Sequence, residues 1–280
     1  VSILMSIIPI LVNTYRQQFP ALANKTYFNY GGQGPMPQAA LDAILEGYRT
    51  IQSQGPFGLK TSEWVVGESN LTRQTIGSEL GVAATSIALT ENVTVGCNIA
   101  LWGIDWQPGD RILLSDCEHP GVIASIHEIC RRFQVSVDIF PLLATLNTGD
   151  PVAVITAHLQ PQTRLVVFSH VLWNTGQVLP LAEIATGIRQ YTQVDRPIRI
   201  LIDAAQSVGL LPLKLDELGI DYYAFTGHKW WCGPEGVGGL YIHPDAQSSL
   251  QPTFIGWRGL DYSKPGLPLI SDSRRYEVAT

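Results

Sequence analysis

Short apolar runs recur along the chain, and each is closed by polar residues. Arg111–Ser115, Leu165–Ser169 and Ile198–Asp203 are dominated by Val, Ile and Leu, and Tyr222–Phe225 is aromatic and small. Val135–Phe140 and Val237–Ile242 repeat the pattern more loosely. Runs this short and this apolar read as strands buried on both faces of a sheet. Helical spacing fills the gaps between them. Leu41, Ile44, Leu45 and Tyr48 share a face after Pro37, and Ile123, Ile126, His127 and Cys130 share one after Pro120. Leu181, Ile184, Ala185 and Ile188 do so after Pro180, and proline is well placed at a helix start. Strands alternating with helices predict an α/β fold, a mostly parallel sheet with helices on both faces.

Ligands of such sheets sit beyond the carboxyl ends of the strands. The candidates are therefore the polar residues that follow the runs: Ser169-His170, Asp203-Ala204-Ala205-Gln206, and Thr226-Gly227-His228-Lys229. Composition supports a folded body, with 45% apolar and 15% charged residues in 280. The formal charge of −6, without any basic run interleaved with aromatics, leaves no footprint for nucleic acid. Cys97, Cys117, Cys130 and Cys232 lack metal-ligand spacing and read as reduced, mostly buried thiols of a cytoplasmic protein. His119, His127 and His170 lack ligand spacing too, so no metal site is expected. Residues 1–12 are apolar but interrupted by Pro9, and too short for the roughly 20 residues of a membrane span. Without a basic start or a small-residue cleavage site they are read as an arm, 1–25, that packs on the body or a partner subunit, with Met5 a possible natural start.

The chemistry concentrates in Thr226–Leu240. One lysine, Lys229, stands among aromatic and small residues and is followed by four glycines. Desolvation lowers a lysine's pKa, as a Schiff-base-forming amine requires. The glycines are read as letting the chain turn close to a bulky ligand. A surface lysine beside a Gly-rich turn is the plainer alternative. Asp203 closes a strand, so its carboxylate should emerge at the ligand end and needs a cationic or hydrogen-bonding partner there. A protonated pyridine nitrogen would be one; capping the next helix is the plainer role.

The segments Ile202–Gln206 and Thr226–Leu240, with their separation, resemble fold-type I pyridoxal-phosphate (PLP) enzymes of the class V aminotransferase group. The resemblance runs from Tyr27-Phe28-Asn29 to the end. It implies a PLP-binding large domain at 26–268 with a seven-stranded sheet. It makes Lys229 the Schiff-base lysine, Asp203 the partner of the pyridine nitrogen and Gln206 that of the phenolic oxygen. His119 would stack on the ring and assist proton transfer, unless it is only a helix-entry histidine. Val93 and Thr94 at a helix start, with Thr226 and His228, would hold the phosphate. Asn29, Gly31 and Asn174 would meet the substrate. Trp257 and Arg258 would reach a neighbouring subunit's cofactor in a homodimer, or else form an ordinary surface loop. Cys117 and Cys130 would be structural.

Two departures bear on the reaction. Where desulfurases of the group carry an asparagine, the loop reads Val171-Leu172-Trp173-Asn174-Thr175-Gly176, closer to the lyase and epimerase branches. Residues 269–280 resemble the entry into a smaller C-terminal domain, which is expected to be missing from these 280 residues. The resemblance to cysteine/cystine C–S lyases implies α-proton abstraction and β-elimination from an amino acid, L-cysteine or L-cystine, to pyruvate, ammonia and a sulfur product, with a possible sulfur acceptor. Cysteine desulfurase, an epimerase or aminotransferase, and a non-catalytic PLP-binding remnant stay open.

Overall fold

The computed structural model describes residues 12–191 and 196–278; most of the 1–12 stretch lies outside them. Seven strands form one sheet: β1 (Ile87–Thr90), β2 (Arg111–Ser115), β3 (Ser136–Phe140), β4 (Thr163–Ser169), β5 (Arg199–Asp203), β6 (Tyr222–Thr226) and β7 (Gly238–Ile242). Their order is β1-β7-β6-β5-β4-β2-β3. Neighbours from β3 to β6 pair in parallel, and β7 runs antiparallel to both β6 and β1. The expected seven-stranded, mostly parallel sheet is thus found.

Alternation along each strand divides the core between the two faces. Leu113, Val166, Phe168, Ile200, Ile202 and Tyr223 point into one cluster, joined by Ile184, Ala185 and Ile188 of the Leu181–Tyr191 helix. Ile112, Leu114, Leu165, Val167, Leu201 and Tyr222 point into the other, with Cys97 and Leu101 of the Val93–Gly103 helix and Ile126 and Ile129 of the Pro120–Phe133 helix. Helices therefore cover both faces. Strands β2, β4, β5 and β6 end so that Ser115, Ser169, Asp203 and Thr226 lie along one edge, with Ser169 directly across from Asp203.

Several local expectations need correction. Strand β1 was not anticipated, because four residues carry too little pattern. Gly238 and Gly239 do not make a turn around a ligand; they lie in β7. A Cβ on Gly239 would come within 2.4 Å of the Phe225 ring, so packing beneath β6 demands the glycine. On the Pro120–Phe133 helix the buried residues are Val122, Ile126 and Ile129, while His127 faces solvent. Cys130 and Cys232 are half-buried; Cys97 and Cys117 are buried. The helix after Pro37 forms, at Gln38–Gln54, yet Leu41, Leu45 and Tyr48 stay 42%, 44% and 66% exposed. Among the described residues nothing covers its apolar stripe.

Residues 273–277 pack onto the sheet. Tyr276 is buried in the second cluster and donates to the Leu250 carbonyl at 2.8 Å. The Glu277 carboxylate forms a buried two-point ion pair with Arg73, at 2.7 and 2.5 Å, and accepts from the Leu89 amide at 3.0 Å. Among the described residues no helix is long and apolar enough to cross a membrane.

Candidate active site

Four strand ends deliver the candidate residues. β2 leads through Ser115 to Glu118 and His119; β4 to His170; β5 to Asp203; β6 to Thr226, His228 and Lys229. His119 caps the Pro120–Phe133 helix, its Nδ1 accepting from the Gly121 amide at 3.2 Å, which leaves the proton of the neutral ring on Nε2. Asp203 is 5% exposed, and its carboxylate's only hydrogen bond among the described residues comes from the Ala205 amide, 2.9 Å from Oδ1. Burial pushes its pKa up; the Ala205 amide and then the charges of Lys229 and His119 pull it back. Lys229 is half-buried, and no carboxylate stands within ion-pair distance of it among the described residues. Desolvation lowers its pKa, opposed by Asp203. The two groups the sequence singled out are therefore neighbours that feel one another's charge without being paired.

The other candidates flank them. Thr226 is fully buried and shares a 2.7 Å hydrogen bond with His228 Nδ1. Thr94 is exposed in the first turn of the Val93–Gly103 helix, whose N-cap Asn92 accepts from the Val95 amide at 3.1 Å. A Cβ added at Gly121 would sit 3.3 Å from His119 Nδ1 and 3.9 Å from Thr94 Oγ1, which places Thr94 beside His119. Gln206 donates from Nε2 to the Gly31 carbonyl at 3.0 Å, bringing Gly31 to the site. The Asn29 carbonyl holds that loop by accepting from the amides of Gly32 and Gln33. Gly34 is forced by contact, since a Cβ there would lie 2.0 Å from the Lys229 carbonyl.

The loop after β4 is a hairpin closed by the Val171–Val178 bridge. Trp173 donates from its indole to the Cys117 carbonyl at 3.1 Å and meets the His119 ring edge-on, with centroids 6.0 Å apart. The Cys117 thiol donates to Asp116 at 3.3 Å, and Asn174 follows Trp173 in the hairpin near enough to pull the thiol's raised pKa back down. Trp257 lies apart in a 3-10 turn, 51% exposed, with Arg258 over its ring and donating to Ser69 at 3.2 Å. A surface groove of 690 Å³ lined by Thr145, Asn147, Gly176 and Gln177 holds none of the candidate residues.

One residue of consequence was passed over. Glu118 is buried and bridges β2 and β4: it accepts from the Ser115 hydroxyl, the Ser169 amide at 3.0 Å and the Ser169 hydroxyl at 2.8 Å. Burial, then the charge of Asp203, raises its pKa to about 7. A carboxylate set between a strand end and His119 was the available signal. Behind the edge, His170 Nδ1 and Ser207 Oγ hydrogen-bond the Tyr223 hydroxyl at 2.8 and 2.6 Å, and burial lowers the His170 pKa to about 4. Burial raises all four cysteine thiols, Cys117 to about 11, which suits structural rather than nucleophilic thiols.

The donor set fits a pyridoxal-phosphate cofactor. A buried carboxylate lacking a cation, an unpaired desolvated amine, and a hydroxyl-bearing helix N-terminus of eleven residues are the partners its ring nitrogen, aldehyde and phosphate require. Among the described residues no cluster of His, Cys, Asp or Glu is placed to hold a metal ion.

Known proteins share this arrangement. An isopenicillin N epimerase of Streptomyces clavuligerus is 32% identical over 231 residues, 82% of this chain and 56% of its own length. The cystine C–S lyase C-DES, solved with its product cysteine persulfide, is 52% identical with a TM-score of 0.90, covering 94% of this chain and 69% of that one. A C-DES mutant with glycine covalently linked to its PLP cofactor is 51% identical with a TM-score of 0.91, covering 95% and 69%. This chain thus spans little more than half of the epimerase. The pattern of class-V aminotransferases matches residues 26–262, and the chain belongs to that family.

Proposed function

We propose that this protein is a PLP-dependent carbon–sulfur lyase acting on L-cystine or L-cysteine. The observation that carries the reading is the 51–52% identity to C-DES across nearly all of this chain, laid over a sheet edge with an unpaired Lys229 and a cation-free Asp203. When bound, PLP supplies an electron sink for a carbanion at the substrate Cα. Lys229, whose pKa desolvation lowers, would be the amine that holds the cofactor's aldehyde and the base that takes the substrate's Cα proton. Asp203 would pair with the cofactor's ring nitrogen and keep it protonated. Gln206 would meet the phenolic oxygen, and His119 would stack on the ring. Val93, Thr94, Thr226 and His228 would take the phosphate. Trp173, against His119, and Asn174, with Asn29 and Gly31, line the substrate side. Loss of the Cα proton with departure of the β-sulfur leaves pyruvate and ammonia after hydrolysis, and the sulfur product passes to an acceptor.

The exposed stripe of Leu41, Leu45 and Tyr48, with Phe57 fully exposed, supports a homodimer in which the Trp257–Arg258 turn approaches the partner's site. Free cysteines support a cytoplasmic location. We read 26–268 as the PLP-binding domain and 269–280 as the entry to a smaller one.

The test is to incubate purified full-length protein with PLP and cystine and to assay pyruvate and alanine. Pyruvate is expected; alanine with an enzyme-bound persulfide would make it a desulfurase, and neither product would overturn the lyase reading. Family membership with the epimerase keeps racemisation as the second reading, detected by chiral analysis of recovered substrate.

A further inference from the structure

Trp230, next to the lysine, does something its neighbours in sequence do not suggest. Its indole Nε1 lies 2.8 Å from Gln206 Oε1, while Gln206 Nε2 lies 3.0 Å from the Gly31 carbonyl. An indole N–H can only donate and a backbone carbonyl can only accept. The two contacts therefore admit one orientation of the Gln206 amide: oxygen toward Trp230, nitrogen toward Gly31. Reversing it would set an oxygen against the carbonyl and a nitrogen against an N–H. One of the two Nε2 hydrogens remains for another acceptor.

Trp230 is itself fixed. Its ring stacks on Tyr30, with centroids 5.8 Å apart and planes 17° from parallel. Its backbone is pressed by Gly209, where a Cβ would lie 2.7 Å from the Trp230 carbonyl carbon, and the preceding carbonyl by Gly34. The Gly34 amide also donates to the His228 carbonyl at 2.8 Å. A rigid donor thus holds the amide that would meet the cofactor's phenolic oxygen.

We propose that Trp230 is a positioning residue for the cofactor: by pinning Gln206 Oε1 it keeps the remaining Nε2–H aimed at the phenolic oxygen and so favours that oxygen's ionised form. The inference rests on the PLP reading above. Its test is the visible band of the holoprotein followed through a pH titration, with PLP affinity measured in parallel. Trp230→Phe keeps an aromatic ring to stack on Tyr30 and removes the N–H donor together with part of the indole's area. It is expected to move the spectral transition to higher pH and to weaken PLP binding about 3- to 10-fold, the worth of one hydrogen bond. Gln206→Leu should shift the transition in the same direction. Adding Trp230→Phe to Gln206→Leu should then change nothing further, because the tryptophan acts through the glutamine. A Trp230→Phe protein with the parent's transition and affinity would overturn the proposal. So would an equal shift in the Gln206→Leu background, which a merely structural tryptophan would produce. Absence of any visible band in the parent would instead remove the cofactor reading, and this inference with it.

Discussion

The two ends of the sheet handle buried charge in opposite ways. At the amino ends each buried carboxylate meets cations. Asp221, just before β6, accepts from Arg199 at 2.7 Å, Arg189 at 2.6 Å and the Ile200 amide at 2.8 Å. Asp110, just before β2, receives both terminal nitrogens of Arg196 at 3.0 and 2.9 Å. At the carboxyl ends Asp203 has one backbone donor, Glu118 has two hydroxyls and an amide, and Lys229 has no carboxylate within ion-pair reach among the described residues. One end spends its charges on the fold. The other keeps them unpaired, at a cost in stability, for a ligand to complete.

The sharpest way to break this contrast is Lys229→Ala. Turnover should fall by at least about 10³-fold while PLP still binds noncovalently, and borohydride should no longer fix label to the chain. Near-parental turnover would remove Lys229 from the site. At the opposite end, Asp221→Ala leaves Arg199 buried and unpaired and should cost about 3–5 kcal/mol in chemical denaturation. A loss comparable to that of an exposed pair would erase the distinction between the two ends.

Glu118 sharpens the comparison through pH. Its folded pKa, about 7, stands above the ordinary 4.5, so its contribution to stability is present below 4.5 and is lost as pH rises through 7. The loss amounts to roughly 3–4 kcal/mol at most. His170, held near 4 instead of 6.5, acts the other way: its contribution is present above 6.5 and lost as pH falls toward 4. Comparing Glu118→Gln with the parent isolates the first. The variant should gain relative stability between pH 4.5 and 7, and a constant difference across that range would refute the assignment.

Smaller effects follow. Asp203→Asn retains the acceptor for Ala205 and removes a desolvated charge, so the cofactor-free protein should be unchanged or more stable by about 1 kcal/mol. PLP affinity should drop at the same time by at least about tenfold. Marked destabilisation would mean that Asp203 belongs with Asp221 as a structural carboxylate. Least of all, Arg49→Ala breaks an exposed pair with Glu46 and should leave the denaturation midpoint where it was.

Much of this was legible in the residues because local pattern and burial coincide in a two-sided sheet. Strands β2, β4, β5 and β6 announced themselves as apolar runs, and their terminal polar residues could only emerge at one edge. Lys229, Asp203 and Gln206 were singled out that way, and His119 through the resemblance to a family. Glu118 could not be read from the sequence, since its partners Ser115 and Ser169 lie on two strands that meet only in space. The stripe of Leu41, Leu45 and Tyr48 had the right period for a buried face, but period says nothing about what covers it.

The sequence by itself determined the class of fold and singled out Lys229 and the polar strand ends as the candidate site, because each depends on short-range order along the chain. Only the tertiary structure decided which charges are paired, why Gly34 and Gly239 cannot carry a side chain, and which way the Gln206 amide faces. Those are set by contacts between residues far apart in sequence. Trp230, Gly31 and Gln206 meet only once the sheet has brought β5, β6 and the Tyr27–Gly34 loop together.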